Sequence, residues 1–185
     1  MNICIFPGTF NPIHIAHIKM ALFALEKYNF DKIIFIPSYI PPHKQIDANL
    51  AQHRYNMVKL VVSTNSKFDI SDIEYQSENK SYTYTTVNKI KEKYKIDGRL
   101  NIIIGTDAFI NVKTWYKADE LKNLVHFIVF PRGNDCIIEE DFIEYSYELV
   151  NMRKLDISST ELRKEYKGKT LKEVEEYIKN NELYA

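Results

Sequence analysis

The run Gly8-Thr9-Phe10-Asn11-Pro12-Ile13-His14-Ile15-Ala16-His17 follows the apolar stretch Ile3-Cys4-Ile5-Phe6 and precedes apolar residues at Ile18, Ala21, Leu22, Leu25 and Tyr28. The first stretch is short and rich in strand formers, whereas the second recurs at helical spacing, so the run sits at a strand-to-helix turn. In open α/β sheets such turns lie at the carboxyl edge, where ligands bind, and the helix start offers unpaired N–H groups to an anion. His14 and His17, three residues apart, can share one helical face. Two imidazoles at a helix start suggest phosphate chemistry. On spacing alone the pair is also compatible with a decorated surface helix or with zinc. A closed zinc site, however, needs further ligands at close spacing, and Cys4 and Cys136 are far apart with no CxxC between them.

Outward from this run, strand-like stretches recur at Ile3 to Phe6, Lys32 to Ile36, Leu100 to Ile104 and Val125 to Phe130, with a weaker one at Phe68 to Ser71. Helical stretches are predicted at His14 to Tyr28, Asn49 to Thr64, Thr83 to Tyr94, Asp107 to Val112, Ser159 to Tyr166 and Leu171 to Asn180. Strands alternating with helices indicate a parallel α/β sheet flanked by helices. Tyr147 to Leu155 is read as a last strand, diluted by Asn151, Arg153 and Lys154, and Gly133 to Glu144 as a mobile loop.

The 185 residues fit a single domain with a substantial core, taken here as residues 1–185. With 25 Lys and Arg against 25 Asp and Glu, no net basic field exists to gather nucleic acid or an anionic membrane. Two cysteines in apolar neighbourhoods argue for a reducing compartment. The N-terminal apolar run stops at Pro7, too short for a signal or a membrane span. The expected location is the cytoplasm. Oligomeric state is left open, a homo-oligomer included.

Four further stretches carry polar chemistry. Pro41-Pro42-His43-Lys44 is a stiff loop that can hold Lys44 over a ligand, and the helix beginning near His53 carries Arg54 with Val58, Val61 and Val62 facing inward. Hydroxyls at Ser81-Tyr82-Thr83-Tyr84-Thr85-Thr86 open a helix and can cap it. Gly105 ends a strand where backbone can approach a ligand, Asp107 can accept from ribose hydroxyls while capping a helix, and Trp115, the sole tryptophan, precedes Tyr116. Ser158 and Glu161 have capping-box spacing. Hydroxyls, a helix start and Arg163 together also make an anion site.

The run from Gly8 to His17 resembles the GTFDPxHxGH signature of the nucleotidyltransferase superfamily, and Ile157-Ser158-Ser159-Thr160-Glu161-Leu162-Arg163 is similar to its ISSTxxR motif. The SYTxDT-like stretch at Ser81, the Trp115-Tyr116 pair and the terminal Val174 to Tyr184 pattern narrow the resemblance to bacterial nicotinate-nucleotide adenylyltransferases. Asn11 stands where aspartate is usual, keeping its size without its charge. Thr85 also replaces an aspartate. Ala16 replaces a glycine, adding a methyl where the family places its helix near the nucleotide, with ATP affinity the property at stake.

The resemblance implies a Rossmann-like fold and adenylyl transfer from ATP, carrying Mg2+, to nicotinate mononucleotide, with no dedicated metal ligands. It implies catalytic roles for His14, His17, Lys44 and Arg163. ATP would meet these together with Gly8, Thr9, Phe10, Gly105, Asp107, Ile157, Ser158, Ser159 and Thr160. Nicotinate mononucleotide would meet Thr9, Lys44, Thr83, Thr86, Asp107, Trp115 and Tyr116, with N–H groups around Thr86 and Tyr116 facing the carboxylate. Arg54 would brace the loops. The rival readings are a sister enzyme using nicotinamide mononucleotide or phosphopantetheine, and a non-catalytic nucleotide-binding module.

Overall fold

The apolar runs form strands β1 (Ile3–Gly8), β2 (Lys32–Pro37), β4 (Leu100–Gly105) and β5 (Val125–Phe130), with the shorter β3 (Phe68–Ile70) and β6 (Tyr147–Leu149) outside them. This computed structural model describes residues 1–42, 47–76, 80–132, 137–152 and 159–184, with only the backbone at Ala48, Ser159 and Glu161. The strands make one sheet in the order β3-β2-β1-β4-β5-β6, every pairing parallel. That is the Rossmann-like order, and the continuous apolar character of the central strands follows from helices covering both faces.

Successive side chains leave a strand on opposite faces, so β1 divides its residues between two cores. Cys4 and Phe6 join Ile33, Phe35 and Ile103 beneath α1 (Ile15–Lys27), α2 (Ala51–Val62) and α7 (Lys172–Asn180). Ile3 and Ile5 join Ile34, Ile102 and Phe127 beneath α3 (Thr83–Tyr94), α4 (Thr106–Phe109) and α5 (Ala118–Leu124). The remaining helix, α6 (Ser159–Leu162), is a single turn.

Several expectations are corrected. The inward face of α1 is Ala16, His17, Met20, Ala21 and Ala24, while Leu22 is exposed. Small side chains let the helix lie close to the sheet, and the larger Ile18, Leu25 and Tyr28 fill the flanks. Helix α5 was not foreseen, because Leu121 is its one fully buried residue and a seven-residue element leaves little periodicity. The predicted Asp107 to Val112 helix is instead α4 followed by a 3-10 turn at Val112–Thr114. Within the expected mobile loop, Glu139–Phe142 form a 3-10 turn anchored by Phe142, whose ring lies 4.8 Å from that of Phe109. Strand β6 ends at Leu149 rather than Leu155.

One feature of register creates the binding crevice. Strand β1 stays paired with β2 from Ile3 to Gly8, but its Cα partners on β4 are only Asn101 and Ile102, opposite Cys4 and Ile5. Beyond Ile5 the carboxyl halves of β1 and β4 part, at the point where strand order reverses.

The loops above that gap are tied by Arg54 of α2, fully buried, whose guanidinium donates to the carbonyls of Thr9 at 2.9 Å, Ser38 at 2.6 Å and Tyr39 at 3.0 Å. These carbonyls come from the loops after β1 and β2. Arg54→Ala would leave all three without their donor inside the protein, a loss of about 3–5 kcal/mol on the scale of a broken buried charged network. Urea unfolding measures it. A loss below about 1 kcal/mol would show that the carbonyls are satisfied without the arginine.

Candidate active site

The gap between β1 and β4 opens into a cleft of about 510 Å³. From the β1 loop it is lined by Gly8, Thr9, Phe10 and, one helical turn on, His17; from the β4 side it is lined by Gly105 and Asp107. Thr83, Trp115 and Tyr116 line it as well. Residues spread over more than a hundred positions therefore face one space.

The local conformation of the first loop has a physical cause. Phe10 adopts a positive φ of 47°, and its ring is 2 % exposed, set edge-on to Phe6 at 5.4 Å and to His17 at 5.0 Å. Packing of this ring offsets a backbone conformation that bulky residues rarely adopt. A Cβ on Gly8 would lie 2.8 Å from the Phe10 ring, so glycine is required by the close approach.

His14 caps α1 and its backbone N–H donates to Nδ1 of His17 at 3.3 Å. An accepting Nδ1 leaves the proton of neutral His17 on Nε2, a donor. The two rings stack with centroids 3.7 Å apart. His14, which is not among the residues lining the cleft, is 1 % exposed, and neither ring nitrogen has a hydrogen-bond partner among the described residues. Burial, reinforced by the charge of Arg132, lowers the His14 pKa to about 3. His14 is thus a neutral imidazole at pH 7, and its unpaired nitrogens are the kind of buried exception that a ligand would explain.

The C-terminal segment closes over the same loop. Thr170 donates to the Ile13 carbonyl at 2.9 Å, the Ile15 N–H donates to the Lys169 carbonyl at 3.0 Å, and the Tyr184 hydroxyl donates to Asn11 Oδ1 at 2.5 Å. Asn11 is 8 % exposed, so an amide oxygen meets the hydroxyl without the cost of burying a carboxylate. Arg163 donates to the Asn11 carbonyl at 3.0 Å and to Thr160 Oγ1 at 3.2 Å. Arg163 and Thr160 are therefore tied to the loop and are not among the described residues lining the cleft. Lys44, Ile157 and Ser158, like Cys136 and His43, lie outside the described residues, and Ser159 opens α6.

One expectation changes on the pyridine side. Thr86 does not offer its N–H, which donates to the Tyr82 carbonyl at 3.1 Å as the first i to i−4 bond of α3, and its hydroxyl donates to Glu74 Oε1 at 2.6 Å. The outward-pointing N–H groups of a helix start belong to the preceding turn, here Thr83 to Thr85. On α1, Ala16 is 5 % exposed and is not among the residues lining the cleft. Tyr116 stacks on Tyr82 with centroids 4.7 Å apart, and Trp115 rests on the apolar cluster that includes Phe109.

Comparison with known proteins agrees with this arrangement. Residues 5–165 match the cytidylyltransferase-like family. A probable nicotinate-nucleotide adenylyltransferase of Caldicellulosiruptor saccharolyticus is 37% identical over 197 residues, spanning 100% of this chain and 99% of the relative. One from Fusobacterium nucleatum is 40% identical over 177 residues, spanning 91% and 89%. The chain belongs to the nicotinate-nucleotide adenylyltransferase family. A Plasmodium falciparum nicotinic acid mononucleotide adenylyltransferase, solved complexed with NaAD, has the same fold with a TM-score of 0.84 at 26% identity, covering 99% of this chain and 97% of that one.

Two residues of this family member's cleft were missed by sequence reasoning. Glu74, 8 % exposed, lines it with a carboxyl pushed up in pKa chiefly by burial, against hydrogen bonds from Thr86 and Ser81 and the charge of Arg54. Nothing in its surrounding sequence marks it as buried. Arg132 also lines the cleft, and its place two residues beyond β5 was a usable signal, since carboxyl strand ends carry the ligand.

The His14 pKa sets a pH dependence. Its folded value lies below the ordinary 6.5, so the unfolded chain binds the extra proton. Stability is full above that value and falls by about 1.4 kcal/mol per pH unit as pH drops toward 3. His126 is lowered too and adds in the same direction. Urea unfolding of the wild type and His14→Gln between pH 7 and 5 separates them. The variant should lose the His14 share of the slope, and equal slopes would contradict a buried neutral His14.

Proposed function

We propose that the chain transfers the adenylyl group of ATP to nicotinate mononucleotide, giving deamido-NAD and pyrophosphate, with residues 1–185 acting as one nucleotidyltransferase domain. The observation that carries this reading is the single cleft joining the histidine loop to Thr83, Asp107, Trp115 and Tyr116. The histidine loop suits phosphates, and Trp115 and Tyr116 suit an aromatic ring.

A phosphate oxygen of the mononucleotide attacks the α-phosphorus of ATP. A new P–O bond forms as the bond to the β-phosphate oxygen breaks, and the electron pair leaves with pyrophosphate. Phosphate monoesters have a second pKa near ~6, so the attacker is largely dianionic and no strong base is needed. Catalysis then reduces to aligning two repelling anions and stabilising the leaving charge. ATP enters carrying Mg2+, a hard cation held mainly by substrate oxygens and water.

Within this reading His17 donates to a phosphate oxygen from Nε2, and His14 supplies a second neutral donor once the substrate reaches it. Lys44 and the motif from Ile157 to Ser159 would meet the outer phosphates, with Arg163 and Thr160 holding that motif against Asn11. Asp107 accepts from ribose hydroxyls, and Trp115 covers the pyridine ring. The positive start of α3 faces the nicotinate carboxylate. An amide there would have to leave its own N–H groups facing donors, which disfavours nicotinamide.

Pyrophosphate release measured with nicotinate mononucleotide, nicotinamide mononucleotide and phosphopantetheine tests the assignment, and only the first should turn over well. His17→Ala should lower kcat about a hundredfold with a smaller change in KM for ATP. Nicotinate mononucleotide should quench the fluorescence of Trp115. Turnover of phosphopantetheine in its place would overturn the substrate assignment, and absence of turnover with all three would overturn the enzymatic reading.

A further inference from the structure

The start of α3 stands between two hollows. On one side is the cleft, on the other a pocket of about 400 Å³, and Glu74, Ser81, Tyr82 and Tyr116 line both. A wall with open space on each side has little to pack against, so its hydrogen bonds must fix it. Tyr82, the N-cap residue of α3, makes no side-chain capping bond, and its ring stacks on Tyr116 with centroids 4.7 Å apart.

The hold on the helix start comes from outside the helix. Glu74 lies four residues beyond β3 and is 8 % exposed, its Oε1 accepts from the Thr86 hydroxyl at 2.6 Å, and Ser81 is its second hydroxyl donor. Ser81 immediately precedes the N-cap and Thr86 begins the next turn, so one carboxyl grips the first turn of α3 from both ends. Oε2 has no hydrogen-bond partner among the described residues, which leaves Oε1 to carry that grip. Burial raises the Glu74 pKa and so favours the neutral form. A neutral carboxyl does not oppose the positive helix start, and the first turn itself holds no acidic residue.

We propose, resting on the nucleotide reading above, that Glu74 is a positioning residue for substrate choice. By holding Ser81 and Thr86 it aims the free N–H groups of Thr83 to Thr85 at the mononucleotide's carboxylate, and thereby sets the preference for the acid over the amide. It acts through the helix start and need not touch the substrate.

Calorimetric titration of the full chain with nicotinate mononucleotide, nicotinamide mononucleotide and ATP tests this role. Glu74→Ala should weaken the nicotinate ligand about tenfold and the other two less than about twofold, so that the acid preference narrows. Thr86→Val, which removes the hydroxyl at nearly constant shape, should do the same and keeps the test open if Glu74→Ala does not fold. Glu74→Gln retains Oε1 as an acceptor and Thr86→Ser retains the hydroxyl, so both should keep most of the preference. Combining Glu74→Ala with Thr86→Val should cost less than the sum of the two, since either change breaks the same contact. In turnover the loss should fall on KM for nicotinate mononucleotide, with kcat held within about twofold. Equal weakening of all three ligands, or an unchanged preference in both Glu74→Ala and Thr86→Val, would overturn the proposal and leave the nucleotide reading standing. A wild-type chain that binds ATP but not nicotinate mononucleotide would overturn the substrate reading and the proposal with it, so the two failures are told apart.

Discussion

The guanidinium of Arg54 is a buried positive charge that exists to satisfy three carbonyls, and the shape of the cleft depends on it. The carbonyls of Thr9, Ser38 and Tyr39 belong to loops leaving neighbouring strands. Without a shared donor these loops would have to take water or fold apart. The cost of burying the charge is visible in its lowered pKa, and it is offset by oxygen dipoles and by Glu74 nearby. From Tyr39 the connection continues, because Ser81 accepts from the N–H groups of Tyr39 and Ile40 at 3.0 and 3.2 Å. Ser81 in turn supports Glu74, which receives the Thr86 hydroxyl. The histidine loop and the start of α3 are thereby linked through polar contacts across the cleft.

A second constraint is the parting of β1 and β4. A parallel sheet with all strands fully paired would present a closed edge, whereas loss of pairing after Ile5 opens a cleft in which the buried Ile102, Ile103 and Ile104 contribute an apolar lining. Polar groups such as His17, Glu74 and Asp107 share that lining. This division suits substrates whose rings need burial and whose phosphates need donors, and it explains why the histidines, Asp107 and Arg132 all lie at strand ends or first helical turns rather than within strands.

Much of this was legible from residue order. The run from Gly8 to His17 reads as strand, turn and helix because short apolar stretches and helical recurrence are local properties, and α3 begins and ends where its hydroxyl start and amphipathic spacing place it. Less legible was which face of α1 turns inward, since the requirement for alanine there comes from the closeness of the sheet. The anchoring of Phe142 was hidden by the acidic residues before it, and the spent N–H of Thr86 follows only from helix register.

The sequence by itself determined the alternation of strands and helices, the family motifs and the chemical types gathered for phosphate and pyridine recognition, because these are carried by neighbouring residues and their spacing. Tertiary structure alone decided that His14 is buried and neutral, that Glu74 is an interior carboxyl, that Asn11 receives Tyr184 across 173 positions, and that Arg132 meets Asp107 in the cleft. Burial, pKa and pairing depend on what folds against a residue from elsewhere in the chain, and no local pattern encodes that neighbour.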